Sequence, residues 1–420
     1  MKVLLLNDTR DHDNWGSRAC AEGLLAILER ELPGAEISSI PSAWTTRRYR
    51  VASPRFGGRI YPGTSRWRQV YRRFSRDFHF LPAVADDFEP AAVAWLSGRA
   101  GPDARGFLEA VSKVDAVLFN AEGSTYRAND SAIKCLFALW LAKTRLGVPA
   151  VFLNGTVHLT GVDPVLPAIA RKTFRAIDRV AVREPRSLAN LRSYAPEVRG
   201  ELVPDSVFQF EPAVAERASA GYRSWRERLG GRPYFCLSLS MLLSAQPGYL
   251  AFGARGSALA ELVRSLLEVV PQGVLMARDG MDQRIVRAVA AETGCHVFGP
   301  EHGYPDLAAL LGGAAFAVSG RYHHLIFATL TGCPALALRT TSHKVDGLCE
   351  LLGGELGRPF DATDLFSEAP AIVARARALA EDRPARSAAL LERAAELRAR
   401  TSRLGELVQE ALSGRRRERP

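Results

Sequence analysis

Short apolar runs alternate with longer amphipathic segments along most of the chain. Runs such as 2–6, 115–120 and 316–319 are apolar at nearly every position, as buried strands of a parallel sheet are. Each run ends in a polar turn, and a segment with apolar residues at helical spacing follows it. Strands that alternate with helices in this way predict a parallel, doubly wound sheet.

The alternation occurs twice, with a break between the two series. Residues 206–232 are polar and charged, and the sequence Gly-Gly-Arg-Pro at 230–233 is expected to end any helix there. We therefore predict an α/β protein of two Rossmann-like domains that face a central cleft, a GT-B-like arrangement with C-terminal helices. The predicted parts are an N-terminal domain at 1–205, a linker at 206–232, a C-terminal domain at 233–368, and helices with a basic tail at 369–420.

Polar residues that could bind an anion or transfer a proton follow several of the predicted strands. Ligands of open α/β sheets bind outside the carboxyl ends of the strands. In the first half Arg183 follows a strand directly, and in the second half Arg321 and His323 follow the strand at 316–319. A loop after the next strand carries His343 and Lys344. An arginine fork can bind carboxylate or phosphate, and histidine can transfer a proton.

Each of these residues also has a structural interpretation. Arg183 could pair with Glu184, and Lys344 could be an exposed loop lysine. His323 and His324 are adjacent and point in different directions, so we do not expect both to contact one ligand.

Aspartates near the strand ends are more ambiguous. Asp205 ends the N-terminal domain and could serve a site or cap a turn. Asp279 and Asp282 flank Gly280, and capping is the favoured interpretation for both.

Two further strand-end turns belong to the first half. The loop 14–17 contains Asn14 and Gly16, with Ser17 as a plausible N-cap of a helix at 18–30. The turn 121–124 contains Glu122 and Gly123. The loop lacks a GxGxxG sequence, so a dinucleotide fingerprint is absent.

The net charge of +10 points to an anionic partner. Candidates are a phosphorylated substrate, a pyrophosphate-linked glycolipid and a membrane surface; no nucleic-acid recognition motif is present. Residues 44–80 interleave arginines with aromatic residues. This segment is predicted to be either a solvated excursion or a docking surface for an anionic, ring-bearing acceptor.

The sequence argues against a metal site, a membrane-spanning segment and a signal peptide. The six cysteines are scattered without a CxxC pair, and no HExxH sequence occurs, so no metal site is predicted. No run of eighteen apolar residues exists, and the first apolar run is too short for a signal peptide. We expect a cytoplasmic protein, with peripheral contact to the inner membrane face as an option.

Several short motifs together resemble the polysaccharide pyruvyl transferase family. The motifs are Gly320-Arg321-Tyr322-His323, Gly332-Cys333-Pro334, Lys344-Val345-Asp346-Gly347, Val182-Arg183-Glu184 with Ser187 and Leu188, and Val203-Pro204-Asp205. The resemblance covers most of the chain outside 41–100 and the tail. This chain departs from the family pattern at Tyr322, where leucine is usual, at the extra His324, and at the turn 121–123, which is less rich in glycine.

The resemblance implies transfer of pyruvate from phosphoenolpyruvate to a sugar of a cell-surface polysaccharide or its lipid-linked precursor, as a ketal, without a cofactor or a metal. It implies that Arg183, Arg321, Gly320 and Lys344 bind the donor, with His323 as the general acid or as the group that stabilises the developing charge. The candidates for the acceptor side or the cleft wall are Asn14, Gly16, Glu122, Gly123, Asp205 and His324.

Two other functions stay open. A GT-B-type glycosyltransferase that uses a nucleotide sugar would need a carboxylate for the ribose late in the second domain, where Glu350 is the candidate. A non-catalytic basic protein would bind polyanions in a salt-sensitive manner, without dependence on Arg183 or His323.

Overall fold

The structure is a computed structural model that describes residues 1–45, 81–82, 84–123, 125, 130–159, 165–212, 220–244, 254–277 and 280–418. The arginine and aromatic segment predicted at 44–80 lies almost wholly outside these residues, as does Asp279. Its first residue, Trp44, is buried, and the buried Lys134 Nζ lies 3.7 Å from the centroid of the Trp44 ring.

Strands and helices alternate in the order that the apolar pattern predicts. The strands are β1 (Lys2–Asp8), β2 (Glu36–Pro41), β3 (Ala116–Asn120), β4 (Ala150–Gly155), β5 (Arg179–Val182), β6 (Gly200–Leu202), β7 (Tyr234–Ser238), β8 (Gln272–Met276), β9 (His296–Phe298), β10 (Phe316–Ser319) and β11 (Ala335–Ala337). The helices are α1 (Trp15–Glu31), α2 (Phe88–Leu96), α3 (Pro102–Val111), α4 (Asp130–Leu146), α5 (Val165–Ala176), α6 (Pro185–Tyr194), α7 (Ala220–Leu229), α8 (Met241–Ser244), α9 (Ala254–Leu267), α10 (Gly280–Thr293), α11 (Tyr304–Gly313), α12 (Tyr322–Leu330), α13 (Lys344–Leu351), α14 (Leu365–Glu381), α15 (Arg383–Arg400) and α16 (Arg403–Glu418).

The described residues form two compact units. Unit 1 comprises 1–12, 20–206 and 401–420, and unit 2 comprises 13–19 and 207–400. Both units are therefore discontinuous in sequence, unlike the continuous ranges expected from the pattern. The last helix, α16, packs beside β3, β4 and β5, which assigns it to unit 1 rather than to the C-terminal half.

Unit 1 contains a six-stranded parallel sheet in the order β2-β1-β3-β4-β5-β6. Both faces of this sheet are covered. In β1, Leu4 and Leu6 point into one core, while Val3 and Leu5 point into the other. Because side chains alternate between faces, a strand covered on both sides needs apolar residues at consecutive positions.

Unit 2 contains a five-stranded parallel sheet in the order β11-β10-β7-β8-β9. Phe235 of β7 and Phe316 of β10 stack across the ladder with ring centroids 5.6 Å apart. They share a core with residues of α9, α10 and α14. Two parallel, helix-covered sheets of this kind confirm the predicted pair of Rossmann-like domains, whereas a central cleft between them stays a prediction.

Two local predictions are wrong. Helix α1 begins at Trp15, so Ser17 lies within its first turn and is not the N-cap. Lys344 is the first residue of α13 rather than part of a loop. The basic tail continues α16 as far as Glu418. Among the described helices, none is both long and apolar enough to cross a membrane.

Candidate functional site

Each sheet has one point where the direction of strand addition reverses. In unit 1 it lies between β1 and β3, and in unit 2 between β7 and β10. Ligands of open α/β sheets bind outside the carboxyl ends of the strands at such a switch point. Glu122 follows β3 and Gly320 follows β10, so candidates predicted from strand ends lie at both switch points.

Backbone strain is concentrated at this edge of unit 1. Among the described non-glycine residues, Asn7, Glu122 and Asn154 have φ of 62°, 45° and 57°, and they lie at the carboxyl ends of β1, β3 and β4. The pairing register also shifts at the ends of β1 and β4. A left-handed non-glycine residue costs about 1–3 kcal/mol and is typical of functional sites, and bulges are common beside them.

Arg183 is held rigidly at the end of β5. The residue is 1% exposed, its Nε donates to Thr156 Oγ1 at 2.9 Å, and its Nη1 donates to Asp205 Oδ2 at 2.7 Å. Its Nη2 lies 3.6 Å from the position that a Cβ on Gly123 would occupy. Asp205 thus fixes the guanidinium, and the third nitrogen lies beside the Gly123 turn.

Glu184, the next residue, is fully buried. Its Oε1 accepts a hydrogen bond from Ser187 Oγ at 2.7 Å, and its Oε2 lies 3.7 Å from Arg183 Nε. Burial raises the pKa of the Glu184 carboxyl to about 7, against the opposing effect of the Arg183 charge. The sequence suggested Glu184 as the ion-pair partner of Arg183. Asp205 lies closer to the guanidinium, at 2.7 Å compared with 3.7 Å for Glu184. A carboxyl group with this pKa can take up or release a proton near neutral pH.

The Glu122 side chain is held by a residue on the other side of the switch point of unit 1. Thr9, which follows β1, donates from Oγ1 to Glu122 Oε1 at 2.7 Å. Glu122 is only 9% exposed, and its neighbour Gly123 lies beside Arg183. The structure therefore brings Glu122, Gly123, Arg183 and Asp205 to one edge of unit 1.

The switch point of unit 2 is packed backbone against backbone. A Cβ on Gly320 would lie 2.4 Å from the Cα of Ser240 and 2.8 Å from its nitrogen. Ser238 Oγ and Ser319 Oγ are 2.7 Å apart at the ends of β7 and β10, and Arg321 N donates to Ser319 Oγ at 3.0 Å. Residue 320 must be glycine for the two turns to meet this closely.

Arg321 has the same kind of partner as Arg183. Its Nη2 donates to Asp282 Oδ2, and the two residues are 8% and 1% exposed. Asp282 lies in the first turn of α10, where the sequence favoured a capping role. The structure shows a partner that this interpretation did not include, because the carboxylate pairs with Arg321. Each unit thus has, at the carboxyl end of a parallel strand, a buried arginine paired with a buried aspartate.

His323 lies against the first turn of α1, which belongs to unit 2. A Cβ on Gly16 would lie 1.9 Å from His323 Nδ1 and 2.3 Å from its Cγ. Gly16 N donates to Asn14 Oδ1 at 3.1 Å, and Arg18 N donates to Asn14 O at 3.0 Å. Asn14 therefore caps the helix, and Gly16 provides the space for the His323 ring.

His324 faces different surroundings. It is buried, its Nδ1 lies 3.0 Å from Ser238 Oγ, and its ring is tilted against Trp15 at a centroid distance of 5.7 Å. Trp15 Nε1 also donates to the carbonyl oxygen of His302 at 2.7 Å. These contacts give His324 a role in packing the turn that carries His323.

The remaining candidates lie on α13. Lys344 is half-buried in its first turn, close in sequence to Asp346, whose Oδ1 lies 3.7 Å from Arg339 Nε. Glu350, the ribose candidate of the nucleotide-sugar alternative, is exposed near the end of this helix. Within the described ranges, no three or more His, Cys, Asp or Glu residues are grouped so that they could hold a metal ion.

Solved structures with a similar architecture identify the fold. A UDP-GlcNAc 2-epimerase from Neisseria meningitidis, bound to UDP-GlcNAc, is 12% identical, with 99% of this chain and 100% of that chain covered at a TM-score of 0.54. A putative UDP-N-acetylglucosamine 2-epimerase from Listeria monocytogenes is 15% identical, with 90% of each chain covered at 0.53. UGT2 of Phytolacca americana, complexed with UDP-2fluoro-glucose and pterostilbene, is 11% identical, with 99% of each chain covered at 0.50. The chain therefore has the GT-B fold.

The family follows from the sequence match. The model of the polysaccharide pyruvyl transferase family matches residues 14–342, which is most of the chain, so the protein belongs to that family. The matched range begins at Asn14, includes Arg183 and Arg321, and ends shortly before Lys344. Membership implies a transferase with a saccharide acceptor. A comparison with curated protein sequences finds no significant match.

Proposed function

We propose that the protein transfers the pyruvyl group of phosphoenolpyruvate to two hydroxyls of a saccharide, forming a ketal and releasing phosphate. The observation that supports this most is the repeated arginine–aspartate pair, Arg183 with Asp205 and Arg321 with Asp282. Phosphoenolpyruvate carries a carboxylate and a phosphate, and each suits one arginine fork. The buried aspartates would hold the forks in place before the donor arrives.

The bonds and protons of the proposed pyruvyl transfer balance. The enol carbon C3 takes one proton, and C2 forms a bond to the first hydroxyl oxygen, which loses its proton. The bond between C2 and the phosphate oxygen then breaks, the second hydroxyl closes the ring, and its proton leaves with the phosphate. His323 is our candidate for the proton donor to C3.

The other residues have supporting roles in this proposal. Arg183 and Arg321 would stabilise the charge of the departing phosphate, and Lys344 would add positive charge nearby. Glu122, oriented by Thr9, is a candidate to accept the hydroxyl proton on the acceptor side. The proposed acceptor is a sugar of a cell-surface polysaccharide or its lipid-linked precursor, with no cofactor or metal and with the reaction on the cytoplasmic side.

Phosphate release from phosphoenolpyruvate in the presence of candidate glycan acceptors tests the proposal. We expect turnover in the wild type, and its loss in Arg321→Ala and in His323→Ala. Arg287→Ala, on the exposed face of α10, and His296→Gln, on β9, serve as controls with normal turnover. Normal turnover in both Arg321→Ala and His323→Ala would refute the assigned site.

Thermal stabilisation by ligands separates the proposal from the nucleotide-sugar alternative. We expect phosphoenolpyruvate to raise the melting temperature of the wild type but not of Arg321→Ala. Stabilisation by UDP-sugars alone, dependent on Glu350, would instead favour a glycosyltransferase.

A further inference from the structure

Unit 2 has a concave surface at the opposite end of its sheet from the Gly320 turn. Its volume is about 870 Å³, and Pro233 and Ala315, which immediately precede β7 and β10, lie in its wall. Gly320 follows β10, and at about 3.3 Å per residue a strand of this length separates its two ends by roughly 13 Å. We call this surface the arginine cleft; its characteristic residues are Tyr222, Arg223, Arg226, Arg232, Tyr234 and Arg383.

Four arginines from three segments of the chain line the cleft. Arg223 and Arg226 are three residues apart on α7 and share one face of that helix. Arg232 follows α7, and Arg383 begins α15. Glu227 is the one carboxylate in the wall, so the cleft has an excess of three positive charges (4 − 1 = 3).

Arg383 is fixed in place by the end of α11. Its Nε donates to the carbonyl oxygen of Ala314 at 3.0 Å, and its Nη2 donates to that of Gly312 at 2.8 Å. A guanidinium at a helix C-terminus is favoured by the helix dipole. The cation is therefore ordered before any ligand binds, which lowers the entropic cost of binding.

The floor of the cleft is equally ordered. Tyr234 donates its hydroxyl to the carbonyl oxygen of Leu310 at 2.6 Å. A Cβ on Gly313 would lie 2.4 Å from the Tyr234 hydroxyl oxygen and 3.4 Å from that of Tyr222. The absence of a side chain at Gly313 thus leaves room for both tyrosines.

We propose that the arginine cleft binds a small anion of the diphosphate class. Guanidinium forks pair with phosphate oxygens, and the excess of three cations suits a ligand with two to three negative charges. Arg223 and Arg226 are exposed, so their forks are accessible from solvent. Arg232 is exposed as well, and its Nε and Nη2 donate to the side-chain oxygen of Gln272, which orders this guanidinium. A concave site of this volume fits a compact ligand better than the flat surface of a bilayer. This site is independent of the donor chemistry proposed above.

Calorimetric titration of the full-length protein with inorganic pyrophosphate tests the inference. We expect saturable binding that persists in Arg321→Ala, because the cleft is separate from the donor site. The double variant Arg223→Glu/Arg226→Glu is expected to weaken binding by about tenfold or more, because both forks are replaced by carboxylates. Arg284→Glu/Arg287→Glu makes the same charge change on α10 and is expected to bind within about twofold of the wild type.

Four results would overturn the inference. They are the absence of saturable binding, its loss in Arg321→Ala, an equal loss in both double variants, and binding only to phosphatidylglycerol vesicles. The last is measured by co-sedimentation and would indicate a membrane-docking surface instead. Because the readout is pyrophosphate affinity, it is unaffected by whether phosphoenolpyruvate is the donor.

Discussion

Gly16 and His323 lie so close together that a Cβ on residue 16 would be 1.9 Å from the imidazole Nδ1. Real atoms do not approach this closely, so any side chain at residue 16 must displace the histidine ring or the first turn of α1. The position of the proposed proton donor therefore depends on the absence of one side chain at the start of the chain.

Gly16→Ala is expected to lower kcat by on the order of 10²-fold, because a displacement of about 1 Å in a catalytic group has that effect. The free energy of unfolding should change by much less than the activation free energy of the reaction. Steady-state phosphate release and thermal unfolding measure the two quantities. Gly106→Ala is the control, since no atom lies within 4 Å of its Cβ position on α3; it should leave kcat unchanged and stabilise the helix by about 0.5–1 kcal/mol. Equal kcat in both variants would contradict the prediction.

Asp282→Ala is expected to lower the free energy of unfolding by about 3–5 kcal/mol, because it leaves the buried Arg321 charge without its carboxylate. The KM for phosphoenolpyruvate should rise as well. Urea denaturation and steady-state kinetics check the two effects. Glu292→Ala removes the exposed ion pair with Arg264 in the same unit and should cost no more than about 1 kcal/mol.

A double replacement separates folding from function. Arg321→Met with Asp282→Leu removes both charges, so much of the lost stability should return while activity stays absent. A stable variant that keeps wild-type turnover would show that the pair serves only the fold.

Glu184 should make the stability of unit 1 depend on pH. Its pKa is about 7 in the folded protein and near 4.5 in the unfolded chain, so the unfolded chain releases the proton first. The free energy of unfolding is therefore expected to fall as pH rises from about 4.5 to 7, by on the order of 3 kcal/mol. Comparison of the wild type with Glu184→Gln across this range isolates the effect. A constant difference between the two would contradict the assigned pKa.

Gly320→Ala is expected to destabilise unit 2 by at least about 2 kcal/mol, because its Cβ would overlap the Ser240 backbone and cannot be relieved by a rotamer change. Denaturant unfolding measures the loss. Gly312→Ala makes a comparison within the same unit, since the nearest atom to its Cβ position is 3.4 Å away on Thr331. If both variants unfold at the same denaturant concentration, the close approach at residue 320 is not a constraint.

The sheets could be predicted because their strands are covered on both faces. Consecutive apolar residues such as Val3 and Leu4 point into different cores, which gives an unbroken apolar run. The positions of Arg183 and Arg321 could be predicted from the same pattern, because residues that follow a strand in the sequence lie at its carboxyl end. The order of residues along the chain was sufficient to predict the strands and the residues at their carboxyl ends.

Contacts between distant residues could not be predicted in this way. Asp282 lies near a helix start, where capping explains an aspartate locally, and its partner Arg321 is 39 residues away. The approach of Gly16 to His323 likewise joins opposite parts of the chain. Thr156 carried no distinct signal beyond its position near a strand end. Glu184 was named in the sequence as part of a motif, but its raised pKa could not be predicted because it depends on burial in the folded protein.

Helix α16 buries Leu404, Leu407 and Val408 in the same core as Val3 and Leu5 of β1. Every residue of unit 2 precedes this helix in the chain. During synthesis, the second sheet can collapse on its own helices while one face of the first still lacks part of its cover. One of the two cores of unit 1 is therefore completed only after the last helix of the chain has been synthesised.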